Sequence, residues 1–196
     1  MKTLKIFLPL FMIITLTVSF FQPIIATSEN ISDKILRLHI IANSDSTEDQ
    51  DLKLKVKNYF LENTADLFVG QTLDENIEIA KENIDYIEKI CNTCIEQNGF
   101  SYEAEVTVDR EYFDTRVYDD FTLPAGVYNS IRITIGQGNG HNWWCIVFPS
   151  VCLSACSKSM DDYLTDEEME LVGDGYTPKF KVIEIYEKIK AKLNAD

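Results

Sequence analysis

Basic residues are scarce in this chain. Lysine and arginine together number 18 against 32 aspartates and glutamates, for a net charge of −14. Two of those lysines, Lys2 and Lys5, sit in an N-terminal segment, so the remainder is more acidic still. Nucleic acid and anionic lipid head groups are gripped by clustered cations, and this balance argues against both as partners. Histidine and tryptophan are rarer, with two of each. There is no internal repeat and no proline- or glycine-rich linker. With 196 residues, the expectation is one domain with a core of its own.

A catalytic constellation is also lacking. Gly136, Gly138 and Gly140 suggest a phosphate loop, but a strand follows them where an anion site needs a helix N-terminus. They are expected to form the turn of a hairpin. Cys91 and Cys94 have redox spacing, yet both fall on the apolar seam deep inside an expected helix, far from the exposed N-terminus that lowers a thiol pKa. As zinc ligands they have no second pair at matching spacing. His141 and Cys145 would lie on one face of a strand roughly 13 Å apart, too far for a nucleophile and its base. His39 sits on the polar face of the first strand, within reach of Ser44 or Asp45 only by accident of folding. The sequence points to no enzyme, no cofactor, no metal and no small-molecule substrate.

The chain opens like a secretory signal. Lys2 and Lys5 form a short basic region, Ile6 to Phe21 is uncharged and apolar, and Ile24-Ile25-Ala26 ends in a small residue that suits cleavage. An uncleaved membrane anchor is the alternative. Residues 1–26 are therefore set apart from a single domain expected at 27–196.

Within that domain Lys34 to Ala42 alternates as a strand, and Asn43-Ser44-Asp45-Ser46 is a dense turn cluster. Thr47 and Gln50 fit a capping box for a helix reaching about Leu61, with Lys53, Lys55 and Lys57 outward. Leu73, Ile77, Ala80, Ile84, Ile87, Cys91 and Cys94 form one seam of a long helix running from Asp74 to Gly99. Tyr102 to Val108 alternates as a strand, Thr115 to Phe121 is a weaker one, and residues 157–177 read as a mobile acidic loop. Lys179 to Leu193 closes the chain as a helix. The order predicts an α+β fold: a single domain whose mostly antiparallel sheet is covered by a long amphipathic helix pair and a C-terminal helix.

The core is expected at residues 123–152. Ile131, Ile133 and Ile135 alternate with Arg132 and Thr134. After the glycine turn, Asn142 to Phe148 is apolar on both faces, as in the middle of a sheet. Trp143 and Trp144 must point to opposite faces, leaving either both covered or one indole at a surface. Cys145 and Cys152 flank Pro149-Ser150, where a chain reversal would let them bridge; a buried reduced thiol at 145 fits equally well, and Cys156 is the expected odd cysteine.

Three stretches carry a resemblance. LRLHIIANSDSTEDQDLKLKVK at 36–57, LPAGVYNSIRITIGQGNGHNWWCIVFPSVC at 123–152 and KFKVIEIYE at 179–187 resemble the stage II sporulation protein R family. Ser150 stands where a second proline is usual, and Cys91, Cys94 and Cys156 lie outside the motif. The resemblance implies a signal secreted by the forespore into the space between the two membranes of the sporulation septum. There it would activate a membrane-embedded, aspartic-type protease of the mother cell that processes pro-sigma-E. The partner-binding candidates are Asn43, Ser44, Asp45 and Asp49 with Asn142, Trp143 and Trp144, polar turns beside an exposable indole. A secreted thiol-redox enzyme using Cys91 and Cys94, and a cell-wall-binding module using the tryptophans, are the competing classes.

Overall fold

A computed structural model describes residues 2–118, 120–149, 160–173 and 175–193. In chain order the first elements are α1 (Lys2–Ser32), β1 (Leu36–Ile41), α2 (Thr47–Thr64), α3 (Leu73–Glu82) and α4 (Ile84–Gln97). Next come β2 (Ala104–Phe113), β3 (Arg116–Val117), β4 (Thr122–Leu123), β5 (Gly126–Ile135) and β6 (Asn142–Phe148). A 3-10 turn at Met160–Asp162 leads to α5 (Asp166–Gly173) and α6 (Pro178–Leu193). The class is α+β. The chain gathers into two compact units, one of residues 1–32, 112–126 and 165–196, the other of residues 33–111 and 127–164.

The first unit is built on α1, α5 and α6, with the short β3–β4 pair. From Leu8 to Phe20 the described apolar side chains of α1 are exposed. Its last turns behave differently. Ser28, Ile31 and Ser32 are buried, and Glu29 accepts hydrogen bonds from Lys190 Nζ (2.5 Å) and Tyr186 (3.4 Å) of α6. Among the described residues, Leu8–Ser32 is the stretch long and apolar enough to cross a membrane, a test that a signal sequence also passes.

The second unit holds a sheet in the order β2-β5-β1-β6, with α2, α3 and α4 packed on one face. Leu38, Ile40, Ile131, Ile133 and Cys145 meet Leu52, Val56, Phe60, Ile87 and Cys91 in that core. The sheet is mixed where a mostly antiparallel one was expected: β1 runs parallel to β5 and antiparallel to β6. The expected β5–β6 hairpin does not form, because β1 lies between them. Arg37 and His39 had marked β1 as half-exposed, yet both are buried, at 0% and 6% exposure, and β1 is a central strand. β6, for all its apolarity, lies at the end of the described sheet.

Other expectations shift for local reasons. The long helix breaks at Asn83, where φ is −112° and the side chain folds back to donate to Ile79 O at 2.8 Å. That amide competes with the helix backbone for its acceptors, so the seam is carried by α3 and α4 separately. The acidic run that read as a mobile loop contains α5. Thr165 Oγ1 accepts from the Glu168 amide and Glu168 Oε2 accepts from the Thr165 amide, a reciprocal cap that starts a helix on acidic residues. The N-cap of α2 is Ser46 rather than Thr47, its hydroxyl accepting from the Asp49 amide at 3.2 Å.

Candidate partner-binding site

Two loops meet beyond the C-terminal ends of the parallel strands β1 and β5. The chain must cross the end of β1 to pass from β5 to β6, and residues 136–140 make that crossing against residues 42–45. Gly140 N donates to Ala42 O (2.9 Å) and Asn139 N to Asn43 O (3.1 Å). The Asn43 side chain accepts from Gln137 N at 3.0 Å. Gly136 and Gly138 take positive φ of 57° and 62°, which glycine adopts without a Cβ clash. Gly140 serves by closeness, since a Cβ there would strike the Ser44 carbonyl.

Asp49 is the hub beneath these loops. It is 4% exposed and accepts from Asn43 Nδ2 (2.8 Å) and Ser44 Oγ (2.5 Å), with the Tyr102 hydroxyl nearby also favouring its charged form. Burial pushes its carboxyl up, and these hydrogen bonds more than offset that, leaving it below its ordinary value. Gln50, predicted to cap the helix, instead donates to Ser44 O at 2.8 Å. Lys53, expected outward, is buried: its Nζ donates to Gln50 Oε1 (2.6 Å) and His141 O (2.8 Å). Desolvation lowers its pKa.

The outer surface of the cluster is Asp45, His141 and Asn142. Asp45 Oδ1 accepts from the His141 amide at 2.6 Å and lies 2.5 Å from His141 Nδ1, with both side chains more than half exposed. The His141 hydrogen bond is the chief reason the Asp45 carboxyl sits below its usual value.

The two indoles take opposite faces of β6, as strand alternation requires, and each is half-buried. Trp143 packs against the helix-side core, with Lys57 Nζ 5.1 Å from its ring centre. Trp144 stacks on His39 at 3.7 Å between centroids and 22° between planes. His39 Nδ1 in turn lies 3.1 Å from Glu111 of β2. Burial opposes ionisation of Glu111, but the hydrogen bond from His39, the nearby Ser130 hydroxyl and the charge of Arg132 hold its carboxyl low. The polar sheet face thus aligns Trp144, His39 and Arg132 across three strands.

The structure brings all seven predicted contact residues into the second unit, but in different roles. Asn43, Ser44 and Asp49 hold the loops together, Asp45 and Asn142 face solvent, and the two tryptophans brace β6. The model of the stage II sporulation protein R family matches residues 32–158, a span that contains every one of them. The chain belongs to this family. It is 30% identical over 172 residues to stage II sporulation protein R of Bacillus subtilis (strain 168), covering 87% of this chain and 71% of that protein. No solved structure matches it. Membership in the family gives the chain a role in sporulation, and its apolar N-terminal helix fits a signal peptide or an anchor.

The family match also spans the cysteines. Cys91 and Cys94 are free and buried in the α4 face. Burial pushes the Cys91 thiol up to about 12 and raises Cys94 as well, the reverse of what a redox thiol needs. Cys145 is disulfide-bonded. Its predicted partner Cys152, like Cys156, lies outside the described residues. No group of acidic, histidine or cysteine side chains able to hold a metal occurs among the described residues. Sequence reading missed the roles of Gln50, Lys53, Tyr102 and Glu111. The spacing of Gln50 and Lys53, one helical turn apart, was the available signal for the first two.

Proposed function

We propose that the chain is an extracytoplasmic sporulation signal, made in the forespore and secreted into the intermembrane space of the septum. There it binds the outward-facing part of a membrane-embedded, aspartic-type protease of the mother cell and switches on processing of pro-sigma-E. Family membership is the observation that carries this reading. An exposed apolar helix at the N-terminus supports the route across a membrane. The contact surface is the loop pair around Asp45, His141 and Asn142, with Asn43, Ser44 and Asp49 fixing its shape and Trp143 and Trp144 supporting it from behind. Hydrogen bonds from both loops hold these exposed groups in place, so binding orders little further chain.

The test is alanine substitution read out by protease activation. Asn142→Ala removes an exposed side chain and is expected to abolish or strongly weaken activation while the far-UV spectrum is unchanged. Trp144→Ala is expected to do the same through loss of the His39 stack. If Asn142→Ala folds and activates fully, the contact surface is elsewhere. The thiol-redox alternative is tested by Cys91→Ser with Cys94→Ser, which is expected to leave signalling unchanged.

A further inference from the structure

The outward face of α6 is an apolar one. Phe180, Ile183 and Glu187 are buried, whereas Ile185, Ile189 and Leu193 are 53%, 54% and 72% exposed. With 3.6 residues per turn these three and the half-buried Val182 form one stripe, on the side of the helix away from the buried residues. Lys181, Lys188 and Lys192 border the stripe on one flank, Lys179 and Lys190 on the other. Although the chain as a whole is acidic, α6 carries five lysines and two glutamates. An apolar stripe between lysines is the pattern of a helix that lies in a membrane interface, its stems along the apolar layer and its ammonium groups at the head groups.

The helix beside it says where such a surface lies. Between Lys5 and Glu29 the chain has no charged residue. The 23 residues from Ile6 to Ser28 reach about 34 Å as a helix, against about 30 Å for the hydrocarbon core of a bilayer. Glu29, the first charge beyond that run, therefore falls at the boundary between lipid and water. It is also the residue of α1 that accepts from Lys190 Nζ and Tyr186 of α6. Lys2 and Lys5 favour the cytoplasmic side for the opposite end of α1. A retained α1 thus holds α6 at the outward surface of the membrane it crosses.

A second copy of the chain fits the stripe poorly, because four aliphatic side chains cover far less than the roughly 800 Å² that each partner gives to a stable protein interface. The lysines remain free to meet lipid. Lys181 and Lys188 stay more than half exposed beside Glu184 (2.9 Å) and Asp114 (3.8 Å), and ion pairs so open to water are worth little. We propose that α6 lies flat on an anionic phospholipid bilayer next to α1. Ile185, Ile189 and Leu193 enter the head-group boundary, and Lys181, Lys188 and Lys192 bond lipid phosphate. The first unit is then seated on the membrane surface, not carried clear of it on a tether.

The test places the full chain, with labelled isoleucine and leucine methyl groups, in phosphatidylglycerol nanodiscs that contain a spin-labelled lipid. Broadening of each methyl signal is read by nuclear magnetic resonance. Ile13 of α1 calibrates a group inside the bilayer, and the buried Ile133 one remote from it. Ile185, Ile189 and Leu193 are expected to broaden, with Ile183 on the buried face affected much less. Lys181→Gln, Lys188→Gln and Lys192→Gln together should reduce the broadening of Ile185 about fivefold, as should discs of phosphatidylcholine. Ile185→Ser with Ile189→Ser changes two exposed side chains, so the chain keeps its fold, and Leu193 is expected to lose its broadening. Stripe methyl groups no broader than Ile133 would overturn the proposal and leave this face to a protein partner. Equal broadening in neutral discs and in the lysine variant would overturn the anionic surface. Leu193 broadened as before in the serine variant would show that the stripe does not seat the helix.

Discussion

At the scale of single residues the loop cluster turns on Asp49 and Gly140. Asp49 is an acid whose folded pKa lies below its ordinary value of 3.8 because several donors favour the charged form. The folded state therefore holds this proton less tightly than the unfolded chain, and the stability it contributes is full above that ordinary value. It is lost as pH falls through 3.8 and on through the lower folded pKa. Asp49→Asn is expected to cost about 1–3 kcal/mol at neutral pH and to flatten the acid limb of the stability curve, measured by urea unfolding between neutral and acid pH. Gly140→Ala makes a different test. Its new Cβ meets the Ser44 backbone carbonyl, which cannot swing aside as a side chain would. A loss of about 1–3 kcal/mol is expected, with weaker protection from exchange at the Asn139 and His141 amides, which bond to Asn43 and Asp45. Wild-type stability in that variant would mean that the loops yield easily and do not hold Asp45 and Asn142 in place.

At the scale of elements the sheet shows how an edge is managed. β2 lies at one end of the strand order, and α4 covers the first part of its outer edge with side chains. Asn92 Oδ1 accepts from Ala104 N at 2.7 Å and Glu88 Oε1 from Val106 N at 2.9 Å. Those two residues are one helical turn apart, which matches the two-residue spacing of like-facing amides on the strand. The double variant Glu88→Ala with Asn92→Ala is expected to lose about 2 kcal/mol in urea unfolding, to exchange the Ala104 and Val106 amides faster and to self-associate more. Unchanged exchange at both amides would show that these side chains do not guard the edge. Elements were the most legible part of the sequence: α2, α6 and the three long strands after β1 lie close to where periodicity puts them. Neighbours in the sheet were not legible. Strand order depends on which segment pays the smaller penalty for burying its polar face, and the pairing of His39 with Glu111 and of Arg37 over Tyr128 is invisible until the strands are assembled. The break at Asn83 was hidden for a similar reason, since the apolar spacing runs through it while a single amide decides the backbone.

At the scale of the whole molecule, the candidate surface was legible in its residues but not in its mechanism. Asn43, Ser44 and Asp45 read correctly as a turn cluster, and the glycines as a turn. Their meeting depends on β1 lying between β5 and β6, which local sequence does not encode. The proposed role has this family member acting from outside the cytoplasmic membrane to switch on a protease that cleaves pro-sigma-E. Its most direct measurement is reconstitution in a non-sporulating bacterial cell that makes the membrane protease and tagged pro-sigma-E, with processing followed as a mobility shift on a gel. The full chain is expected to trigger processing, whereas the chain lacking residues 1–26 remains inside and is expected not to. Equal processing with and without the chain, or processing by the form retained in the cytoplasm, would contradict an extracytoplasmic signal.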